Sequence, residues 1–178
     1  APKPAPTASP TPTATPKPGP TATPGPESCN ELYYLSSTSG GKVGGVSFAD
    51  DDILLFDSST AKWSLYFDGS DVGLASNNVD AFHLRPNGEI ILSLKAAGSV
   101  PGVGAVDDSD LLLFTPTTIG EKTAGAFSLM FDGSDVGLTT NAENINAVSE
   151  LPDGRLVINT NGNVSVTGLS AKKWDLLL

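Results

Sequence analysis

The chain has 178 residues, a formal net charge of −10 at pH 7 and 39% hydrophobic residues. With this excess of acid it is not expected to bind nucleic acid, whose phosphates are contacted by clustered lysines and arginines, or an anionic membrane surface. Because no apolar run approaches the roughly 18 residues of a membrane-spanning helix, we expect no membrane insertion either.

Residues 1–28 are predicted to form an extended tail, because ten of the 14 prolines lie between Pro2 and Pro26. Proline fixes φ and disfavours helical geometry at the residue before it, which favours polyproline II. The Thr-Pro pattern is typical of O-glycosylated stalks, and a passive spacer is the alternative. The expected glycosylation sites are Thr7, Thr11, Thr13, Thr15, Thr21 and Thr23.

The N-terminal sequence is typical of a secreted, extracellular protein. The chain opens with Ala1-Pro2-Lys3 rather than methionine, as expected after removal of a signal peptide or in a shortened chain. Cys29 is the one cysteine of the sequence, so an internal disulfide is excluded. We expect either a partly exposed thiol or a disulfide to another chain, and a location at the cell surface.

The octapeptide Phe67–Leu74 (Phe-Asp-Gly-Ser-Asp-Val-Gly-Leu) recurs unchanged at Phe131–Leu138, 64 residues later. A long period of this kind marks a tandem repeat, whose units bury their apolar faces against one another. We therefore divide the predicted domain, residues 29–178, into units of roughly 31–78, 79–144 and 145–178, which is about two and a half units.

A complete unit is predicted to contain four short strands, which makes the domain all-β. In the second unit, Asp80–Leu84 and Glu89–Leu94 flank Pro86-Asn87-Gly88, and Asn-Gly supplies the positive φ of a tight turn. A glycine-rich loop follows, and then the strands Asp110–Phe114 and Ala126–Phe131. No window of the sequence shows sustained helical periodicity.

The first and last units are expected to be incomplete. Leu32–Leu35 matches the second strand of a unit and Trp174–Leu178 matches the third, so we expect ten strands in all. In the fourth strand of the first unit, simple alternation predicts Trp63 and Phe67 on one face and Tyr66 on the other.

The order of hairpin, loop and hairpin resembles the blade of a β-propeller. The sequence Asp80-Ala81-Phe82, followed by Pro86-Asn-Gly-Glu-Ile-Ile-Leu-Ser93, is similar to the opening of many propeller repeats, and the repeats also resemble those of secreted bacterial proteins with Pro/Thr-rich stalks. This resemblance implies a propeller-like arrangement in which closure of a ring needs several chains, as in lectins assembled from short subunits. A β-sandwich or barrel of the same strands is the alternative.

Acidic residues on glycine-containing loops are the candidate metal ligands. Calcium takes about six to eight oxygen ligands in flexible geometry, which suits clustered aspartates, although the spacing does not fit an EF-hand. The alternative is that these aspartates form turns and solvate the strand ends. The candidate calcium ligands are Asp50, Asp51, Asp68, Asp71, Asp107, Asp108, Asp132 and Asp135.

The third unit departs from this pattern, since Lys172 and Lys173 stand where Asp107 and Asp108 stand in the second unit. A cation site would be lost there. The two lysines are expected either to oppose an acidic loop of a neighbouring subunit or to discourage edge-to-edge aggregation.

The sequence does not predict an enzyme. His83 is the one histidine, and the sequence has no Gly-x-Ser-x-Gly elbow, histidine-rich metal spacing or phosphate-binding glycine loop. We therefore expect neither a catalytic residue nor an organic cofactor.

Two functional hypotheses follow from these patterns. The first is an extracellular structural protein that self-associates into a ring or filament through the open edges of its incomplete units, with the tail as stalk or strap. The second is a carbohydrate-binding module on a secreted linker, assisted by calcium. Both predict partners outside the chain, either further copies of it or glycans.

Overall fold

In the computed structural model, which describes residues 31–178, the chain is all-β, as predicted. Three short 3-10 helices lie at Ser70–Val72, Gly133–Val136 and Asn141–Glu143, and none of the described helices is long and apolar enough to cross a membrane. The strands are β1 (Leu32–Leu35), β2 (Gly41–Val43), β3 (Val46–Phe48), β4 (Ile53–Asp57), β5 (Lys62–Phe67), β6 (Val79–Leu84), β7 (Ile90–Leu94), β8 (Gly98–Val100), β9 (Gly104–Val106), β10 (Leu111–Thr118), β11 (Ala124–Phe131), β12 (Ile145–Glu150), β13 (Leu156–Thr160), β14 (Val164–Val166) and β15 (Leu169–Ala171).

Three antiparallel sheets carry most of the fold. The N-terminal sheet has the order β1-β4-β5, the central sheet has the order β6-β7-β10-β11, and the C-terminal sheet consists of β12 and β13. Beside the C-terminal sheet, Leu177 forms an antiparallel bridge with Ile158 of β13. The long strands of each sheet therefore neighbour one another in the order in which the chain makes them.

Three additional hairpins occupy the loops of the sheets, namely β2–β3, β8–β9 and β14–β15. The described residues therefore contain fifteen strands, and the expectation of ten was wrong. Strands of three residues are too short for a period of two to be recognised in the sequence. The predicted third strand Trp174–Leu178 is reduced to the bridge at Leu177, and Trp174 is exposed.

The central sheet is covered on both faces because its strands carry apolar side chains at successive positions. All five residues of β7 are buried. In β10, Leu112 and Phe114 belong to a core shared with the N-terminal sheet, whereas Leu111 belongs to a core shared with the C-terminal sheet. Successive side chains of a strand point to opposite faces, so one strand serves both cores.

The first core lies between the N-terminal and central sheets. Ile53, Phe67 and Leu74 come from the N-terminal side, and they pack with Leu92 and Phe114 of the central sheet. The rings of Phe67 and Phe114 are fully buried and meet edge to face, with 5.2 Å between their centroids and an angle of 78°. Such aromatic pairs stabilise a core beyond the effect of buried area.

The second core lies between the central and C-terminal sheets and contains fewer buried residues. Ile91 and Leu111 of the central sheet pack with Ile145 and Val148 of β12. The hydroxyl of Ser93 donates a hydrogen bond to the carbonyl of Ile145 at 2.6 Å. The two sheets are thus joined by both apolar and polar contacts.

A β-bulge changes the predicted faces of β5. The pairing of β4 with β5 shifts between Phe67 and Leu65, which leaves Tyr66 without a direct partner. Tyr66 consequently packs against the first core, as Phe67 does, and the predicted separation of these two residues was wrong. The pairing of β10 with β11 contains the same shift at Met130.

The long β10–β11 hairpin reaches back to the N-terminal sheet. The N–H of Gly120 donates to the carbonyl of Tyr66 at 2.8 Å, and the N–H of Asp68 donates to the hydroxyl oxygen of Thr123 at 2.9 Å. The N–H of Thr123 in turn donates to the Asp71 carboxylate at 3.0 Å. This hairpin therefore holds the first octapeptide against the central sheet.

An ion pair joins the central and C-terminal sheets. Nε and Nη2 of Arg85 donate to the two carboxylate oxygens of Glu150, at 2.8 and 2.6 Å. Nη1 of Arg85 donates to Glu89 at 2.9 Å. Bidentate pairs of this kind fix the orientation of both side chains.

Candidate functional site

The predicted acidic loops lie beside the repeated octapeptides. The loop before β4, which contains Asp50 and Asp51, is hydrogen-bonded to Gly69 of the first octapeptide. The loop before β10 is bonded in the same way to Gly133 of the second octapeptide. The structure therefore brings each candidate loop against one octapeptide.

Asp52 uses both carboxylate oxygens to hold the chain. One oxygen accepts a hydrogen bond from the N–H of Ala49 at 2.7 Å, and the other accepts from the N–H of Gly69 at 3.1 Å. Burial raises the pKa of Asp52 above its ordinary value despite these two hydrogen bonds. The side chain ties the start of β4 to the octapeptide that follows β5.

Asp110 makes the same pair of bonds in the second loop. It accepts from the N–H of Asp107 at 2.7 Å and from the N–H of Gly133 at 3.0 Å. Gly133 packs so closely against Ser109 that a Cβ atom would overlap with the Ser109 hydroxyl. Glycine at this position therefore allows its N–H to come within reach of Asp110.

Asp175 continues the series in the third loop, where Lys172 and Lys173 replace the acids. Its carboxylate accepts from the N–H of Lys172 at 2.8 Å. Because this bond is made where the neighbouring side chains are basic, the recurring aspartate does not depend on a cluster of acids. The sequence analysis missed this role, although an aspartate in the same place in all three loops was the signal for it.

Asp68 and Asp132 begin the 3-10 turns of the two octapeptides. One oxygen of Asp132 accepts from the N–H and the hydroxyl of Ser134, at 3.0 and 2.7 Å, and Asp68 bonds Ser70 in the same way. The hydrogen bond from the Ser134 hydroxyl lowers the pKa of Asp132. These contacts are the ones expected if the aspartates cap turns.

The two octapeptides differ in what surrounds their second aspartate. Asp71 accepts from the N–H of Thr123 at 3.0 Å and so contacts the β10–β11 hairpin. Asp135, at the same place in the second octapeptide, is exposed. Asp71 is exposed as well. The two identical sequences therefore differ in their contacts, because the first octapeptide is bonded to the β10–β11 hairpin.

Asp51 is a buried acid. The residue is 1% exposed, and one of its carboxylate oxygens has no hydrogen-bond partner among residues 31–178. Burial, with the charges of neighbouring aspartates, raises its pKa. In the second loop the corresponding residue is Ser109, whose hydroxyl donates to the carbonyl of Leu138 at 3.0 Å.

Asp108 is also buried, at the junction with β12. Burial, together with a hydrogen bond and the charge of Asp107, raises the pKa of Asp108 to about 6. The backbone carbonyl of Asp108 accepts from the N–H of Ile145 at 2.9 Å. In the first loop Asp50 corresponds to it and accepts a hydrogen bond from the side chain of Asn78 at 3.2 Å.

Residues 31–178 contain no group of three or more histidines, cysteines, aspartates or glutamates placed to hold a metal ion. A calcium ion in these loops would compete with backbone N–H groups for carboxylate oxygens. Such N–H groups already donate hydrogen bonds to Asp52, Asp68, Asp110 and Asp132. Calcium binding at the candidate ligands stays a prediction.

His83 lies on β6 and lines a shallow surface pocket with Glu150, Pro86 and Pro152. Hydrogen bonds from Arg85 lower the pKa of Glu150. A carboxylate held by arginine in this way is a poor proton acceptor beside a histidine.

An apolar groove of about 230 Å³, here called the C-terminal groove, lies beside the C-terminal sheet. Its walls are apolar throughout, and they include Leu111, Phe131 and Leu138 from one side and Leu156, Ile158 and Leu177 from the other. Val136 and Leu169, which also line it, are 52% and 45% exposed. The groove is therefore open to solvent.

The outer face of the N-terminal sheet is apolar as well. Tyr33, Phe56 and Trp63 lie directly opposite one another on β1, β4 and β5, with ring centroids 6.4 and 4.9 Å apart along the row. Leu35 and Leu65, two residues further along β1 and β5, share this face. These five residues are called the N-terminal face, and none belongs to either core.

The remaining sequence predictions concern residues outside the described range. The extended tail of residues 1–28, its threonine glycosylation sites and the thiol of Cys29 stay predictions.

Comparison of the chain with models of protein families, with curated protein sequences and with solved structures found no match. Its function is therefore inferred from the residues and geometry described above.

Asp110→Ala is expected to lower the free energy of unfolding by roughly 2 to 4 kcal/mol, because two backbone N–H groups lose their acceptor. Asp175→Ala is the matched control. It removes the bond to Lys172 at an exposed site and is expected to cost less than about 1 kcal/mol. Urea unfolding followed by circular dichroism measures both, and an equal loss in the two variants would contradict the role assigned to Asp110.

Asp51→Ser and Asp108→Asn are expected to stabilise the protein above pH 6 and to have little effect near pH 4. Because burial raises both pKa values, protonation of these acids stabilises the fold. That contribution is complete below the ordinary pKa of 3.8 and is lost as pH rises through the folded-state value, about 6 for Asp108. Melting temperatures measured from pH 4 to pH 8 test this.

The control for this pH series is Asp132→Asn, because the pKa of Asp132 is lowered rather than raised. Its effect is expected to have the opposite sign, a loss of stability that appears as pH rises. If the melting temperature of the Asp51 or Asp108 variant differs from that of the parent by the same amount at pH 4 and at pH 8, the raised pKa assigned to that residue is refuted.

Asp132→Ala is expected to lower the free energy of unfolding by about 1 kcal/mol, both in calcium and in EDTA, because its carboxylate caps a turn. Asp135→Ala, at an exposed position of the same turn, is the control and is expected to change stability by less than about 0.5 kcal/mol. Thermal melting in both buffers is the measurement. If both variants lose stability in the calcium buffer but not in EDTA, a calcium site is supported instead.

Proposed function

We propose that this chain is an extracellular structural protein whose all-β domain self-associates into a ring or filament, with the proline-rich segment as an arm. The observation that carries this proposal is exposed apolar surface in two places, the N-terminal face on the outer side of the N-terminal sheet and the C-terminal groove between the central and C-terminal sheets. Large contiguous apolar patches on soluble proteins are frequently interaction sites.

The three sheets are interpreted as successive repeats that each resemble a propeller blade. The identical octapeptides follow β5 and β11, and Gly73 and Gly137 end their 3-10 turns with φ of 87° and 91°. The β-bulge and the aspartate before the third strand recur at matching positions. Repeats of this kind bury their apolar faces against neighbouring repeats.

A stack of such repeats covers its inner faces and leaves its outer faces open. The two cores bury most of the faces between the sheets, whereas Tyr33 and Leu35 on the N-terminal face and Val136 and Leu169 at the C-terminal groove are all more than 40% exposed. Because these two surfaces differ in sequence, contact between them would be heterologous. Heterologous contacts generate a ring if the rotation between copies closes and a filament if it does not.

The charges near the C-terminal groove favour contact with another copy of this chain. Lys172 and Lys173 are exposed, and they follow Leu169 of the groove closely in sequence. The chain as a whole carries a net charge of −10. A basic pair on such a protein is attracted to the acidic surface of a second copy and helps to orient it.

The proline-rich arm, residues 1–28, completes the proposal. An extended polyproline II segment spans distance without a core of its own, which suits a stalk that carries the domain or a strap between subunits. O-glycans on its threonines would shield the arm from proteolysis outside the cell.

The full chain is expected to sediment as species larger than its 18.2 kDa monomer, with an average mass that rises with protein concentration. Electron microscopy of the same samples is expected to show rings or filaments of regular width. Sedimentation velocity over a wide concentration range is the deciding measurement. A single monomeric species at every concentration would contradict the proposal.

A further inference from the structure

We propose that the open edge of β11 binds the proline-rich arm of a neighbouring copy of this chain. The site is a groove of about 450 Å³ beside this edge, here called the arm groove. Its lining consists of Asp71, Val72, Gly73, Pro101, Gly102 and residues 124–127. This inference rests on the proposed function, because it specifies how the arm joins two subunits.

The arm groove follows the edge of a strand. β11 is the outermost strand of the central sheet, and within residues 31–178 its backbone makes no hydrogen bond outside its pairing with β10. Four consecutive residues of β11 line the groove, although successive side chains of a strand point to opposite faces. The lining is therefore formed by the backbone on the side away from β10. Such an edge offers N–H and C=O groups to another extended chain.

The opposite wall of the groove consists of two loops in close contact. A Cβ atom on Gly73 would lie 2.6 Å from Cγ of Pro101, so glycine at this position lets the first octapeptide touch the β8–β9 turn. All residues of the lining except Asp71 and Phe127 are glycine, alanine, valine or proline. Small side chains on both walls leave room for an extended chain whose own side chains are small.

Asp71 gives the groove a negative charge. One oxygen of its carboxylate accepts a hydrogen bond from the N–H of Thr123 at 3.0 Å, and the residue is exposed. None of the ion pairs formed within residues 31–178 includes Asp71. Because a carboxylate has several acceptor positions, Asp71 can also bind a basic side chain.

The proline-rich arm has a composition that fits this groove. Residues 1–26 are proline, threonine, alanine, serine and glycine, together with Lys3 and Lys17. A polyproline II chain has no internal hydrogen bonds, so its carbonyl groups are free to accept hydrogen bonds from the N–H groups of β11. The two lysines supply the charge that Asp71 attracts.

The distribution of charge along the chain favours the same contact. Residues 1–30 carry a net charge of +1, from Lys3, Lys17 and Glu27, and the whole chain carries −10, so residues 31–178 carry −11. A positive segment is attracted to the acidic domain of another copy, and this attraction speeds their encounter.

The length of the arm favours a neighbouring copy over the domain to which the arm is attached. Lys17 precedes Glu31 by 14 residues, which span about 43 Å in extended polyproline II. A compact domain of the size of residues 31–178 has a radius of gyration of roughly 15 Å and is less than about 40 Å across. A stiff arm therefore carries both lysines beyond its own domain.

Carbodiimide cross-linking of the full chain tests the contact directly. Unlabelled chain and chain labelled with a heavy nitrogen isotope are mixed while dilute, concentrated to assemble and treated with a carbodiimide, which couples a lysine amine to a carboxylate beside it. Mass spectrometry is expected to identify Lys17 or Lys3 joined to Asp71. Products that contain one peptide of each label show that the two residues come from different copies.

Asp71→Asn is expected to remove these products and to weaken self-association about two- to fivefold, as is typical of an exposed ion pair. The asparagine side chain can still accept the hydrogen bond from Thr123, so the fold is retained. Asp135→Asn is the matched control, because Asp135 has the same place in the second octapeptide and does not line the groove. It is expected to associate like the parent.

Ala126→Lys obstructs the groove and repels the lysines of the arm, and it is expected to weaken self-association at least about tenfold. The corresponding residue of β5 is Lys62, so a lysine is compatible with this strand. Ser64→Lys, at an exposed position of β5 outside the groove, is the control and associates like the parent. Circular dichroism and thermal melting establish that the variants fold, and sedimentation velocity measures their association.

The outcomes separate this inference from the proposed function. If the parent associates but no lysine of the arm is joined to Asp71, or if the products contain peptides of a single label only, this inference is overturned. It is also overturned if Asp71→Asn or Ala126→Lys associates as strongly as its control. Self-assembly would then stand. If the parent is monomeric at every concentration, both are overturned.

Discussion

A sheet with apolar side chains on both faces must be covered twice, and this requirement organises the whole domain. Every residue of β7 is buried, and β10 directs Leu111 to one core and Phe114 to the other. The N-terminal and C-terminal sheets are therefore held by the same two strands. The same alternation places Tyr33, Phe56 and Trp63 on the outer side of the N-terminal sheet, outside both cores, where the turn of the β2–β3 hairpin at Gly44 packs against Trp63.

The acidic residues divide into groups with different physical roles. Asp52 and Asp110 accept backbone hydrogen bonds that tie a strand to an octapeptide, and Asp132 caps a turn. Asp51 and Asp108 are buried acids whose pKa values burial raises. A cluster of aspartates in a sequence is therefore compatible with structural roles throughout, because each carboxylate offers two acceptors to an irregular backbone that has lost its sheet partners.

The sequence predicts the class of fold because the turns and strands are local. Gly88 and Gly154 adopt φ of 89° and 84° and close turns with Arg85 and Leu151, as the Asn-Gly and Asp-Gly pairs indicate. Contacts between distant residues were beyond prediction. The bond from Thr123 to Asp71 spans 52 residues and depends on the longer β10–β11 hairpin, and the apolar groove depends on the relative placement of two sheets. The bulge at Tyr66 breaks the alternation on which its predicted face relied.

The two joints of the stack respond differently to the surrounding medium. The β10–β11 hairpin is attached through backbone and hydroxyl groups of Gly120 and Thr123 and through the Asp71 carboxylate, and none of these contacts pairs two charged groups. The joint to the C-terminal sheet includes the ion pair of Arg85 and Glu150, whose side chains are 19% and 17% exposed and thus within reach of salt. Screening by salt therefore acts on this ion pair more than on the apolar and backbone contacts of the same joint. Because the C-terminal sheet forms one wall of the C-terminal groove, one of the contacts that place this wall against the central sheet is sensitive to salinity.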